Sequence, residues 1–254
     1  MARKTISFGA LFAASLLTLP AQQPSQGIPP QGETAAVNGI TIPDIPGAPF
    51  SATAVIEFQQ YRPDGSTQVR RTINLIARDS EGRTHNETRR LMPEYFHGSP
   101  QLLSVHLFDP LTRIRTLYDP ALHIARQQLV PKQTKTDSSP NPLMHIQDLG
   151  TTALNGLPAK GTRHTHTISA AASGTGSPVE IEDEDWYSED LHLNLLVRHS
   201  DPRIGVLTIG ISGLKREEPP ASMFQVPAGY QILDITPPGA PAAASQKPGA
   251  EPIP

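Results

Sequence analysis

Two histidines spaced two apart and a dense run of carboxylates have the most obvious chemical reach in this chain. His164 and His166 would point to one side of a strand, a geometry that can hold a metal ion with His192 or His199 as a third ligand. Arg163 and Thr165 alternate with them, which equally describes an exposed polar strand face, and no cofactor is expected. Glu180, Glu182, Asp183, Glu184, Asp185, Glu189 and Asp190 surround Trp186 and Tyr187. Paired carboxylates beside an aromatic platform suit sugar hydrolysis or calcium binding. The run lacks a calcium loop's glycine and ligand spacing, however, and a strand divides its acids between two faces. It reads as a solvated edge that resists sheet-to-sheet association. Serine nucleophiles lack a Gly-x-Ser-x-Gly elbow, and Gly174-Thr175-Gly176 lacks the lysine and helix of a phosphate loop. The residues therefore point to a binding protein without a catalytic site, with a metal- or carboxylate-dependent hydrolase as an alternative.

The elements that would position such groups are short strands. Ser51 to Arg62 alternates and stops at Pro63-Asp64-Gly65, where Pro presets one φ and Gly permits a positive one. From Thr67 to Asp79, Val69, Arg71, Ile73, Leu75 and Ala77 share one face, while Gln68, Arg70, Thr72, Asn74 and Arg78 share the other. Period two marks a half-buried strand, with the apolar side expected inward. Phe108-Asp109-Pro110 and Tyr118-Asp119-Pro120 repeat ten residues apart, as successive turns of a meander. Asn155-Gly156 is a hairpin signal. Helix candidates are limited to Pro220–Phe224, Leu143–Leu149 and part of 92–104. The expected fold is mainly β: a single antiparallel curved sheet or open half-barrel of about ten or eleven strands with few short helices.

Composition bounds compartment and partners. Arg3-Lys4, the uncharged run Ile6–Leu19 and the Pro20-Ala21 exit describe a secretory signal over residues 1–21. The run is too short for the ~20 residues of a membrane-spanning helix. Without that leader, 19 basic residues face 24 acidic ones, a net charge of -5 with histidine neutral, and no basic footprint for nucleic acid is visible. Cysteine is absent, so disulfides, thiolate metal sites and N-terminal lipidation are excluded. Residues 22–44 and 237–254, rich in Pro, Gln, Gly and Ala, read as disordered segments around a β domain at 45–236.

Several motifs look familiar. Leu149-Gly150-Thr151 through Asn155-Gly156-Leu157 to Gly161-Thr162-Arg163, then Glu184-Asp185-Trp186-Tyr187-Ser188, resembles uncharacterised exported proteins of soil bacteria. So do Arg198-His199-Ser200-Asp201-Pro202-Arg203 and the ending with Phe224-Gln225-Val226-Pro227. More distantly, the leader, the strand meander, the late tryptophan strand and the Phe-x-Val-Pro ending are similar to the LolA-like lipoprotein-carrier superfamily. That resemblance implies an open half-barrel whose apolar face holds an acyl chain. The expected function is a non-enzymatic periplasmic or secreted binder of a lipid-like ligand, contacted by Ile56, Phe58, Val69, Ile73, Leu75 and Trp186. The alternative partner is another exported protein, recognised by strand addition.

Overall fold

The computed structural model describes residues 39–131 and 144–238. The expected secretory signal at 1–21 and residues 22–38, 132–143 and 239–254 lie outside the described residues. Thirteen strands form one open sheet: β1 (Phe50–Tyr61), β2 (Thr67–Arg78), β3 (Thr84–Arg89), β4 (Met92–Pro93), β5 (Leu102–Asp109), β6 (Ile114–Asp119), β7 (Ile124–Leu129), β8 (Met144–Leu154), β9 (Leu157–Ile168), β10 (Val179–Ser188), β11 (Leu193–Asp201), β12 (Gly205–Lys215) and β13 (Gln231–Asp234). Their order is β13-β7-β6-β5-β3-β2-β1-β12-β11-β10-β9-β8, with β4 beside β2. Only two short helical turns occur among the described residues, α1 (Ala170–Ser173) and a 3₁₀ turn at Ala221–Phe224. The expected fold class is thus observed, with thirteen strands in place of the ten or eleven anticipated. β4 is two residues long, and β13 joins β7 in parallel from far along the chain. Of the helix candidates, residues 144–149 instead belong to β8, and 92–104 contributes to β4 and β5; Leu143 lies outside the described residues.

The face assignment of β2 is the reverse of the sequence expectation. Thr72 and Asn74 are 2% and 0% exposed, whereas Ile73 and Leu75 are 48% and 37% exposed. The neighbouring strands decide this. β1 and β12 turn Ala54, Ile56 and Phe58 and Leu207, Ile209 and Ile211 into the main core. Antiparallel register sets Thr72 opposite Ile56, Asn74 opposite Ala54 and Arg78 opposite Phe50, so these polar residues must share the buried side. The buried polar groups then acquire structural work: Asn74 Oδ1 accepts a hydrogen bond from the Arg89 backbone N–H at 3.0 Å.

Residues 39–49 run over that buried side as a strap. Ile40 belongs to the core, so ordered packing begins before residue 45. Arg78, fully buried, fixes the strap. Its guanidinium donates to the carbonyls of Pro43 (3.0 Å), Ala48 (2.8 Å) and Leu191 (2.6 Å) and lies 5.3 Å from the Phe50 ring centre. No carboxylate pairs with it among the described residues. Burial pulls its pKa below the ordinary arginine value. Gly82 lets the strap pass: its φ is +86°, and a Cβ there would sit 3.0 Å from the Asp44 carbonyl oxygen.

The other half of the sheet is covered on its opposite side. Val105, Leu107, Tyr118 and Ala125 form a second core under Val226 and Tyr230, whose ring meets Tyr118 edge-on at 5.2 Å. His85 Nδ1 lies 2.6 Å from the Met223 carbonyl oxygen, fixing the 3₁₀ turn there. The strap therefore crosses one face over β2 and β3, and the C-terminal segment closes the other around β5 to β7.

Replacing Arg78 with Met removes the donors while leaving the carbonyls of Pro43, Ala48 and Leu191 without them. The variant is expected to lose about 3–5 kcal/mol of unfolding free energy in urea titration. A loss below about 1 kcal/mol would mean that the guanidinium does not hold the strap.

Candidate functional site

Diagonal covering leaves the strap side of β3, β5 and β6 open, and a groove of about 480 Å³ lies there. Register aligns its strand residues on one face: Thr84, Phe108 and Arg115 form one cross-strand row, and Asn86 and His106 the next. Gly39, Ile40, Thr41 and Ile42 of the strap make the opposing wall. The Asn86 amide nitrogen donates to the Ile40 carbonyl at 3.1 Å and so sets the wall's position. Asn86 Oδ1 and Asn74 Nδ2 are buried without hydrogen-bond partners. Both atoms lie around Gly39, 3.4 and 3.5 Å from where a Cβ would stand.

Arg115 is exposed at the groove and has no ion-pair partner among the described residues. Desolvation by the groove walls, followed by the nearby Arg115 charge, lowers the His106 pKa. At neutral pH the groove therefore offers one fixed cation, a neutral imidazole, hydroxyl and amide groups, and apolar surface from Ile42 and Phe108. That set can bind a polar or anionic head beside an apolar body. It contains no carboxylate to partner a base.

The residues expected to contact a ligand are not brought together. Ile56 and Phe58 lie in the closed core under the strap. Val69, Ile73 and Leu75 face the opposite side of the sheet. The Trp186 ring packs over Gly161, where a Cβ would be 2.8 Å away, and its Nε1 donates to Glu184 Oε1 at 2.7 Å. The groove residues escaped the sequence reading because Thr84-His85-Asn86-Glu87-Thr88 is polar on both faces, so period two carried no hydropathy signal there.

His164 and His166 do share a face, opposite Asp183 and Ile181. His199 joins the first row: its Nδ1 lies 2.5 Å from Asp183 Oδ1. His192 turns elsewhere, 3.3 Å from the Tyr187 hydroxyl. Among the described residues no three His, Asp or Glu side chains have an arrangement able to hold a metal ion. The acidic run divides as expected for a strand, with Glu184 binding Arg163 at 2.9 Å.

Behind the groove, Glu87 anchors β3 from its other face. Burial alone would raise its pKa, but the Arg89 guanidinium, bonded at 2.7 Å, and the Leu75 N–H at 3.2 Å bring it down to about 2. A depressed carboxylate pKa contributes stability that is present above the unfolded value and lost as pH falls through the folded one. From 4.5 to about 2, this term is about 3 kcal/mol. Glu87→Gln should therefore flatten the fall in stability between pH ~4.5 and ~2 seen by urea denaturation. An unchanged acid limb would contradict the assignment.

No family model matches the chain, and no curated protein matches it. Among solved structures, it is similar to MucB of Pseudomonas aeruginosa in its complex with MucA, at 16% identity and a TM-score of 0.40, over 73% of this chain and 58% of that one. It is also similar to an uncharacterised conserved protein of Thermus thermophilus, at 12% identity and a TM-score of 0.39, over 74% and 90% of the two chains. A third is a putative outer membrane lipoprotein-sorting protein domain of Vibrio parahaemolyticus, at 14% identity and a TM-score of 0.27, over 70% and 89%. The chain spans about three fifths of the length of the MucB chains it matches.

Proposed function

We propose that the protein is a non-enzymatic, exported binding protein, and that the groove between the strap and β3, β5 and β6 holds a lipid-like or acylated ligand. The observation that carries this reading is the groove itself. Its volume falls within the usual range of small-molecule sites, ~300–1,000 Å³. Its wall joins apolar Ile42 and Phe108 to an unpaired Arg115 and to hydrogen-bonding Thr84, Asn86 and His106. An acidic amphiphile matches both parts: its chain covers the apolar wall and its head group meets the guanidinium.

The second reading, a module that recognises another exported chain, is favoured by β8. This eleven-residue strand pairs with β9 on one side and stands at the end of the sheet order. An unpaired strand edge can template an added strand.

Native mass spectrometry of protein purified from the envelope without detergent is expected to show an extra mass that solvent extraction removes. In solution, Arg115→Ala should weaken binding of cis-parinaric acid about tenfold, the loss of one charge-assisted contact. Leu75→Arg, on the far side of the sheet, should leave that binding unchanged. Full affinity in Arg115→Ala, or its loss in Leu75→Arg, would place the ligand elsewhere.

A further inference from the structure

One end of the sheet gathers aromatic and cationic side chains that the fold does not use. Register places the end of β1, the start of β2, the β4–β5 loop and the β6–β7 turn at this same end. Tyr95 is 80% exposed there, and Tyr61, Phe96 and Leu122 are exposed as well. Single exposed apolar residues are ordinary; four on one rim are not. The tip carrying them has a defined shape. Phe96 N–H donates to the Pro93 carbonyl at 2.9 Å, and its ring lies over Gly98, where a Cβ would stand 2.7 Å away. Glu94 N–H ties the same loop to the Val69 carbonyl at 3.2 Å.

The neighbouring cations are unusual in their partners. Arg62 and Arg70 both donate to Gln68 Oε1, and Arg90 donates to Gln101 Oε1 at 3.0 Å. None of these three guanidiniums forms an ion pair among the described residues, whereas nearby Arg71 and Arg89 are each paired with a carboxylate. Asp64, the acid closest in sequence to Arg62, turns its carboxylate to the Ser66 N–H and hydroxyl. Glu94, on the same loop, is taken up by Arg71 at 3.3 Å, so Arg62, Arg70 and Arg90 stand as cations without a carboxylate on a chain of negative net charge.

From this juxtaposition we infer that the rim formed by the β1–β2 turn and the β4–β5 loop is a membrane-surface docking site, and that its partner is a bilayer bearing anionic headgroups. Tyr and Phe at a fixed tip enter the headgroup boundary with an apolar body, and tyrosine keeps its hydroxyl wet. Arginines held by neutral glutamine amides retain their full charge for phosphates. A soluble anionic polymer would use the guanidiniums and leave the aromatic tip unused.

Sedimentation with phosphatidylglycerol–phosphatidylethanolamine vesicles, against phosphatidylcholine vesicles, tests this on protein purified from the envelope without detergent. Binding is expected to favour the anionic vesicles and to weaken with salt. Tyr95→Ser with Phe96→Ser should reduce partitioning at least about tenfold. Arg62→Gln, Arg70→Gln and Arg90→Gln together should reduce it about a hundredfold on anionic vesicles only. Both sets should keep the circular dichroism and cis-parinaric acid binding of the parent, since they lie outside the groove. Equal binding to both vesicle types, absence of binding, or variants that sediment like the parent would overturn the inference. Binding to heparin as tight as to vesicles, unaffected in the aromatic variant, would overturn it too.

Discussion

A buried guanidinium satisfied by carbonyl oxygens is the constraint on which the arrangement depends. Arg78 lies on β2, yet its donors reach two points of the strap and the turn that opens β11. Taking a cation out of water costs several kcal/mol unless its donors are met. The chain meets them by drawing three separate segments to one point. Because carbonyls rather than a carboxylate do this, the pair of faces is fixed by backbone position. The strap must cross β2 at a set height, and Ile40 and Ile42 follow it onto the sheet.

The rest of the architecture follows from how far that strap reaches. A single sheet has two faces to cover and little material to do so. Residues 39–49 cross one face over β2 and β3, and the segment around Val226 and Tyr230 closes the opposite face of β5 to β7. What neither segment covers is left open to solvent. On the strap side this is the groove beside Arg115; on the other side it is the charged and apolar face of β1 and β2. There Arg71 pairs with Glu57 at 2.7 Å and keeps Val55 and Ile73 among solvated neighbours. The salt bridge is half exposed and adds little stability. Its effect is to make an otherwise apolar face tolerable in water.

The strand meander was legible because turn chemistry and alternation agree: Asp109 and Asp119 each cap the turn that follows, at 2.9 and 2.8 Å, as their Asp-Pro spacing implies. Period two alone does not say which side is inward. On β2 the apolar side was the natural choice, and register against Ile56 and Ala54 overrode it. Arg78 looked like a surface arginine because its partners are carbonyls of residues 30 to 113 positions away. The groove was illegible for the same reason. Its wall joins residues 39–42 to 84–88, 106–108 and 115, and no spacing in the sequence links them. β13 went unread because four residues carry too little pattern and their partner strand is remote.

The absence of cysteine makes the central claim, that the polar side of β2 faces the strap, directly measurable. Single-cysteine variants Thr72→Cys and Ile73→Cys, treated with a water-soluble maleimide under native conditions, report the two faces at adjacent positions. The account predicts fast labelling at position 73 and protection at position 72 that disappears in denaturant. Fast labelling at 72 with protection at 73 would contradict it, and would return the apolar side of β2 to the interior.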